Sequence, residues 1–189
     1  MVSSQHYFWA IRLPDDMKQY IQSELSKVKE KFPFKRWVHE QDYHITLAFL
    51  GSVDQERLNL SQRLIEEAIS EAPVFSLSLN RLGVFGKMSL PRIFWAGVEK
   101  ENRLYTIQSQ VFKACSKAGF SLEARPFSPH ITLARNWNGS LFEKELLETY
   151  NPFSHNEISF LQKEVVLYKT NIKNTPKYEA ITNFLLKSE

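Results

Sequence analysis

The chain alternates between two rhythms of apolar residues. Tyr7 to Leu13 is dense in aromatic and β-branched residues and predicts a strand. Pro14-Asp15-Asp16 offers a turn and a helix start. Met17, Ile21, Leu25, Val28 and Phe32 then recur at helical spacing up to Pro33. Trp37-Val38 and Tyr43 to Leu50 read as extended, with Gly51 as a stop. Leu58, Ser61, Ile65, Ala68 and Ile69 mark a second helix, ending before Pro73. Phe75, Leu77 and Leu79 share one side of a strand over Val74 to Leu82. Gly83 to Pro91 reads as a loop and Arg92 to Val98 as a strand. Leu104, Ile107, Val111, Ala114, Cys115 and Ala118 give a third helix with Gly119 at its C-cap. Phe120 to Leu122 and His130 to Ala134 are extended. Leu141 to Tyr150 predicts a short fourth helix, and Ile158 to Leu161, Val165 to Thr170 and Tyr178 to Leu185 predict closing strands.

Several strands follow one another without a helix between them. That order predicts an α+β fold with largely antiparallel sheets rather than a doubly wound parallel one. No Pro/Gly/Ser-rich linker divides the 189 residues, so residues 1–189 are expected to form one domain, large enough for a sizeable core.

The same five residues occur twice. His44-Ile45-Thr46-Leu47-Ala48 and His130-Ile131-Thr132-Leu133-Ala134 are identical and stand 86 residues apart. Internal duplication explains this better than coincidence, given average residue usage. In a strand, residues i and i+2 point to one face. His44 therefore shares a face with Thr46, and His130 with Thr132, while the isoleucine and leucine of each copy face a core. If a pseudo-two-fold axis relates the halves, the two polar faces meet across one cleft.

Two imidazoles and two hydroxyls around one point suit phosphodiester chemistry. Imidazole titrates near neutral pH, so one ring can accept a proton from water while its partner protonates a departing alkoxide. Threonine hydroxyls can donate to the non-bridging phosphate oxygens. The scheme needs no metal, cofactor or covalent nucleophile. One cysteine, no His-x-His and no His-Glu-x-x-His give no zinc pattern.

With this repeat in view, the chain resembles the two-histidine phosphoesterases, and within them the bacterial and archaeal RNA 2′,3′-cyclic phosphodiesterases, also called 2′-5′ RNA ligases. Besides the doubled motif, the resemblance rests on Arg36-Trp37, Phe49-Leu50-Gly51, Gly83-Val84-Phe85 and Pro91 to Gly97. It extends through Arg125-Pro126-Phe127, Pro129 to Arg135, Val166 to Thr170 and Pro176-Lys177-Tyr178. It implies a bilobal fold, each lobe with a mainly antiparallel sheet and helices outside, and an active-site cleft between the lobes. It also implies hydrolysis of a terminal 2′,3′-cyclic phosphate on RNA to a 2′-phosphate, with 2′-5′ ligation as the reverse reaction. His44 and His130 would be catalytic, Thr46 and Thr132 would bind phosphate, and Arg135 would contact phosphate or support the site. Strict alternation puts Arg135 on the wrong face unless the strand bulges near Ala134. Gly86 to Leu90 departs from the family pattern, which bears on substrate preference.

Two other readings compete. One is a related two-histidine enzyme acting on a small cyclic nucleotide or a 2′-5′ oligonucleotide. The other is a nucleotide- or RNA-binding module without turnover, against which the intact histidines and threonines argue. His6, His39 and His155 have no patterned partner and read as non-catalytic. Arg92, Trp95 and Phe127 are possible RNA contacts, the two aromatics reading first as core, and Cys115 reads as core.

Charge and composition narrow the setting. The net charge of +3 is spread evenly, with 12 basic and 11 acidic residues up to Trp95, so a polyanionic partner is permitted but not demanded. There is no apolar run of about 18 residues, no basic and apolar leader at the N-terminus, and one cysteine. These point to a cytoplasmic protein that does not span a membrane. A monomer acting on RNA ends is the expectation.

Overall fold

A computed structural model describes residues 5–154 and 158–188; His155 lies outside them. The chain forms β1 (His6–Arg12), α1 (Asp15–Val28), β2 (Phe34–Trp37), β3 (His44–Ser52), α2 (Gln55–Ile69), β4 (Phe75–Lys87), β5 (Leu90–Val98) and α3 (Asn102–Lys117). It continues through β6 (His130–Trp137), α4 (Leu146–Thr149), β7 (Ser159–Gln162), β8 (Glu164–Thr170) and β9 (Tyr178–Leu185). Among the described residues the strands form one antiparallel path, β7-β4-β5-β6-β3-β1-β8-β9, with β2 paired to β6. The fold is α+β, as the order of elements predicts.

The path has two halves, each with its motif strand innermost. β3 leads outward to β1, β8 and β9, and β6 to β5, β4 and β7. The halves are continuous rather than separate sheets: β3 and β6 pair antiparallel through Ile45 and Ile131. Both side chains are fully buried. They join one core with Met17, Ile21 and Leu25 of α1, Leu58, Ile65 and Ile69 of α2, and Leu104, Ile107 and Val111 of α3. The helices thus cover the isoleucine face. On the other face, Phe8, Ala10, Val166 and Tyr168 form a separate small cluster with Tyr178 packed against it.

Four expectations change. The segment Gly83 to Pro91 is not a loop, because β4 runs on to Lys87 and turns at Met88-Ser89 into β5. Its glycines serve packing and register. A Cβ at Gly83 would collide with the Trp95 indole, and Gly86 has φ +107° at a register shift opposite Pro91. Only Leu146–Thr149 of the expected fourth helix is helical. The residues before it wrap Trp137, whose Nε1 donates to Ser140 O and whose ring meets buried Phe142 edge-on. Phe120 to Leu122 joins no strand, and the helix ahead of Pro33 ends at Val28 with a single 3₁₀ turn after it. No helix among the described residues is long and apolar enough to cross a membrane.

Because Ile45 and Ile131 form the registered pair between β3 and β6 among the described residues, and both are fully buried, each should be costly to truncate. Ile45→Ala and Ile131→Ala are each expected to lower unfolding free energy by about 2–5 kcal/mol. The double variant should lose less than the sum, since the two sites are in contact. Equilibrium urea denaturation of the three variants checks this; small, strictly additive losses would contradict it.

Candidate active site

The Ile45–Ile131 pair places the polar residues. One step to either side of it along their strands lie His44 and Thr46, and His130 and Thr132, all on the face away from the helices. The two histidines are held alike. His44 Nδ1 lies 2.7 Å from Asp42 O, and His130 Nδ1 lies 2.8 Å from Ser128 O. A carbonyl only accepts, so each Nδ1 carries the hydrogen and each Nε2 keeps its lone pair when the ring is neutral. His44 Nε2 accepts from the Thr46 hydroxyl at 3.1 Å.

Aromatic rings fix both imidazoles. His44 lies against Phe8, with centroids 4.8 Å apart, and meets Tyr178 edge-on at 5.1 Å. His130 meets Phe85 edge-on at 4.9 Å and lies 6.3 Å from Trp95. Tyr178 is itself tethered. The buried Asp42 carboxylate accepts the backbone N–H groups of Lys177 and Tyr178 at 2.9 and 3.1 Å, so the start of β9 is tied to the residue whose carbonyl orients His44.

Both motif strands bulge at the same place. In β6, Thr132 pairs with Trp95 and Ala134 with Phe94, leaving Leu133 as the extra residue. In β3, Thr46 pairs with Ala10 and Ala48 with Trp9, leaving Leu47 extra. Leucine and alanine in each copy are both buried, so the next residue returns to the histidine face. In β6 that residue is Arg135. It is exposed, and its positive charge depresses the pKa of both histidines. In β3 it is Phe49, 57% exposed, with His6 edge-on at 5.8 Å. Sequence reasoning missed Phe49. The signal was its place, five residues after the histidine, where the second copy has Arg135.

Burial is the main electrostatic influence on the site. It pushes His44 down to about 4 against the opposing pull of its hydrogen bond to Asp42. Charges on His130, Arg135 and Lys18 push the same way. His130 is also lowered, by burial first and then by Arg135. Both rings are therefore neutral near pH 7 in the empty site, unlike the opposite protonation states expected from free imidazoles. Burial raises the Tyr178 hydroxyl while Arg135 draws it down.

The remaining named residues divide as follows. Trp95 stands on the histidine face across from Thr132, and Arg92 is exposed, the extra residue where β5 shifts register against β4. Phe127 packs edge-on against Tyr105 of α3. His39 caps a 3₁₀ turn by accepting from Gln41 N at 3.2 Å. Cys115 is buried, its thiol pushed up to about 12. Among the described residues no three His, Cys, Asp or Glu side chains converge. Grooves of about 350 and 400 Å³ run between α2 and α3 and include neither histidine.

The chain is similar to several known proteins. It is 45% identical over 183 residues to the RNA 2′,3′-cyclic phosphodiesterase of Geobacillus stearothermophilus; the match covers 96% of this chain and 57% of that protein's length. It is 33% identical over 181 residues to the RNA 2′,3′-cyclic phosphodiesterase of Bacillus subtilis, covering 96% of each. The fold superposes on E. coli LigT complexed with 3′-AMP with a TM-score of 0.81 and 25% identity, covering 97% of this chain and 98% of that one. The family profile of the 2′-5′ RNA ligase superfamily matches residues 15–171. On the doubled motif, the fold that brings its two copies together and this profile, the chain belongs to the 2′-5′ RNA ligase superfamily.

Proposed function

We propose that this protein hydrolyses the 2′,3′-cyclic phosphate at an RNA end to a 2′-phosphate, using His44 and His130 as an acid–base pair. The observation that carries the reading is that two imidazoles, each with Nδ1 on a carbonyl and so with its proton-transfer lone pair on Nε2, stand on the face that Arg135 also occupies. The names of the related proteins support the same chemistry.

In this scheme water attacks phosphorus and the Nε2 of one histidine accepts its proton. The P–O3′ bond breaks, and the other histidine, protonated, delivers a proton from Nε2 to the leaving O3′. A 2′-phosphate and a free 3′-hydroxyl result. Thr46, Thr132 and Arg135 hold the non-bridging oxygens, where negative charge grows. The anionic phosphate stabilises the imidazolium that burial disfavours, so one ring takes up its proton with the substrate. A 5′-hydroxyl attacking in place of water, with the same P–O3′ bond broken, gives the 2′-5′ joining reaction. Phe49 offers an exposed ring for stacking the terminal base, which suits a nucleoside end of any sequence. The duplicated motif strands, each innermost in its half, support reading residues 1–189 as a single two-lobed domain that arose by duplication; a cytoplasmic monomer is part of the same proposal.

Incubation with a 2′,3′-cyclic-phosphate oligonucleotide in excess EDTA tests the scheme. The wild type should yield 2′-phosphate ends at an undiminished rate. His44→Ala, His130→Ala and Arg135→Ala should each lose about 10²–10⁴ in kcat. Activity that vanishes on chelation, or survives in full in either histidine variant, would refute the proposal.

The pH dependence follows from the depressed histidines. Free-enzyme kcat/KM should be bell-shaped, because the active form carries one proton on the pair, and the limbs belong to the pair rather than to either ring. Both limbs should lie below pH 6.5, because both rings are held below their ordinary value. In kcat, which reports the substrate complex, the limbs should move to higher pH. A kcat/KM profile with either limb above pH 7 would contradict the scheme.

A further inference from the structure

The second half of the sheet carries a cation that the scheme above leaves unused. Arg81 of β4 pairs with Gly97 of β5, and Gly97 pairs with His130 of β6. Directly opposite residues of antiparallel strands share a face. Arg81 therefore rises from the histidine face, two strands or about 10 Å from His130. It is exposed and makes no ion pair among the described residues.

Its direction is set by three neighbours. The guanidinium lies over Trp95, 5.6 Å from the ring centroid, and Trp95 in turn lies beside His130. Two glycines permit this. A Cβ at Gly83 would collide with the Trp95 indole, and one at Gly97 would come within 3.0 Å of Arg81 Cγ and 3.2 Å of its Nε. The stem of Arg81 is thus laid across bare backbone, on the strand between it and His130. A guanidinium stacked on an indole has lost much of its freedom before any ligand arrives, so binding an anion costs it less entropy.

We propose that Arg81 binds the phosphodiester immediately upstream of the cyclic end. The proposal rests on the function given above, with the terminal base on Phe49. In a nucleoside 2′,3′-cyclic phosphate the base leaves the ribose at C1′ and the chain leaves at C4′, on opposite sides of the reacting edge. Phe49 stands on β3, on the His44 side of the site. With the base there, C5′ and its phosphate run the other way, over β6 and β5 toward Arg81. The contact gives preference for oligonucleotide ends over cyclic mononucleotides, which lack that phosphate.

The test compares three substrates: a 2′,3′-cyclic mononucleotide, a dinucleotide ending in 2′,3′-cyclic phosphate, and the same dinucleotide with a neutral methylphosphonate as its internal linkage. Arg81→Gln should raise KM for the dinucleotide about 5- to 10-fold with kcat retained, the size of one charge-assisted contact, and leave the mononucleotide constants as in the wild type. The methylphosphonate should cost the wild type the same factor and the Arg81→Gln variant nothing further. Equal losses on mononucleotide and dinucleotide, no loss on the dinucleotide, or an undiminished methylphosphonate effect in the variant would overturn the proposal. If the wild type turns over no cyclic end, the catalytic reading fails by itself. Fluorescence anisotropy with a labelled 2′-phosphate dinucleotide then still decides on Arg81: weaker binding by the variant supports the contact, and equal binding overturns it.

Discussion

Ile45 and Ile131 face each other between two antiparallel strands, with both side chains in the core. A slip of one residue in either strand would send its histidine and threonine into the core and its isoleucine to the open face. The hydrophobic penalty for that slip is what keeps His44, Thr46, His130 and Thr132 on one surface. It also makes the site nearly symmetric. Each histidine leans on the carbonyl two residues before it and is braced by aromatic rings, and each strand bulges one residue after its threonine.

Symmetry of the backbone leaves the side chains after the bulges to differentiate the two halves. One bulge delivers the positive charge of Arg135 and the other the apolar ring of Phe49, so the surface is suited to an object with an anion at one end and a flat ring at the other. The electrostatics follow the same division. His44 is the more deeply desolvated ring, and Arg135 discourages a proton on either histidine while the site is empty. In the proposed scheme an arriving phosphate would satisfy Arg135 and supply the counter-charge that lets one imidazole become cationic. Affinity for the anion and readiness for acid catalysis are therefore coupled.

The features of this arrangement that depend on local sequence are legible in the chain itself. The repeated pentapeptide and its two-residue alternation place both histidines and both threonines on one face. Helical spacing locates α1, α2 and α3, and the run of strands without intervening helices gives the α+β class. The bulges are not legible. Nothing in Thr-Leu-Ala announces an extra residue, yet the position of Arg135 depends on it, and Phe49 is hidden for the same reason. Gly83 looks like a loop residue because its role, room for the Trp95 indole, lies on a neighbouring strand. The tie from Asp42 to Lys177 and Tyr178 spans most of the chain and has no local signature.

The central claim is that two identically oriented imidazoles wait neutral, with Nε2 unprotonated, and that phosphate charges one of them. NMR of the protein with ¹⁵N-labelled histidine, titrated with and without a 2′-phosphate nucleotide, measures this directly. The account predicts Nδ1–H tautomers for His44 and His130, with His44 titrating near pH 4 and His130 below 6.5 in the free protein, and an upward shift of at least one on binding. An Nε2–H tautomer at either histidine, or a pKa at 6.5 or above that ligand leaves unmoved, would contradict it.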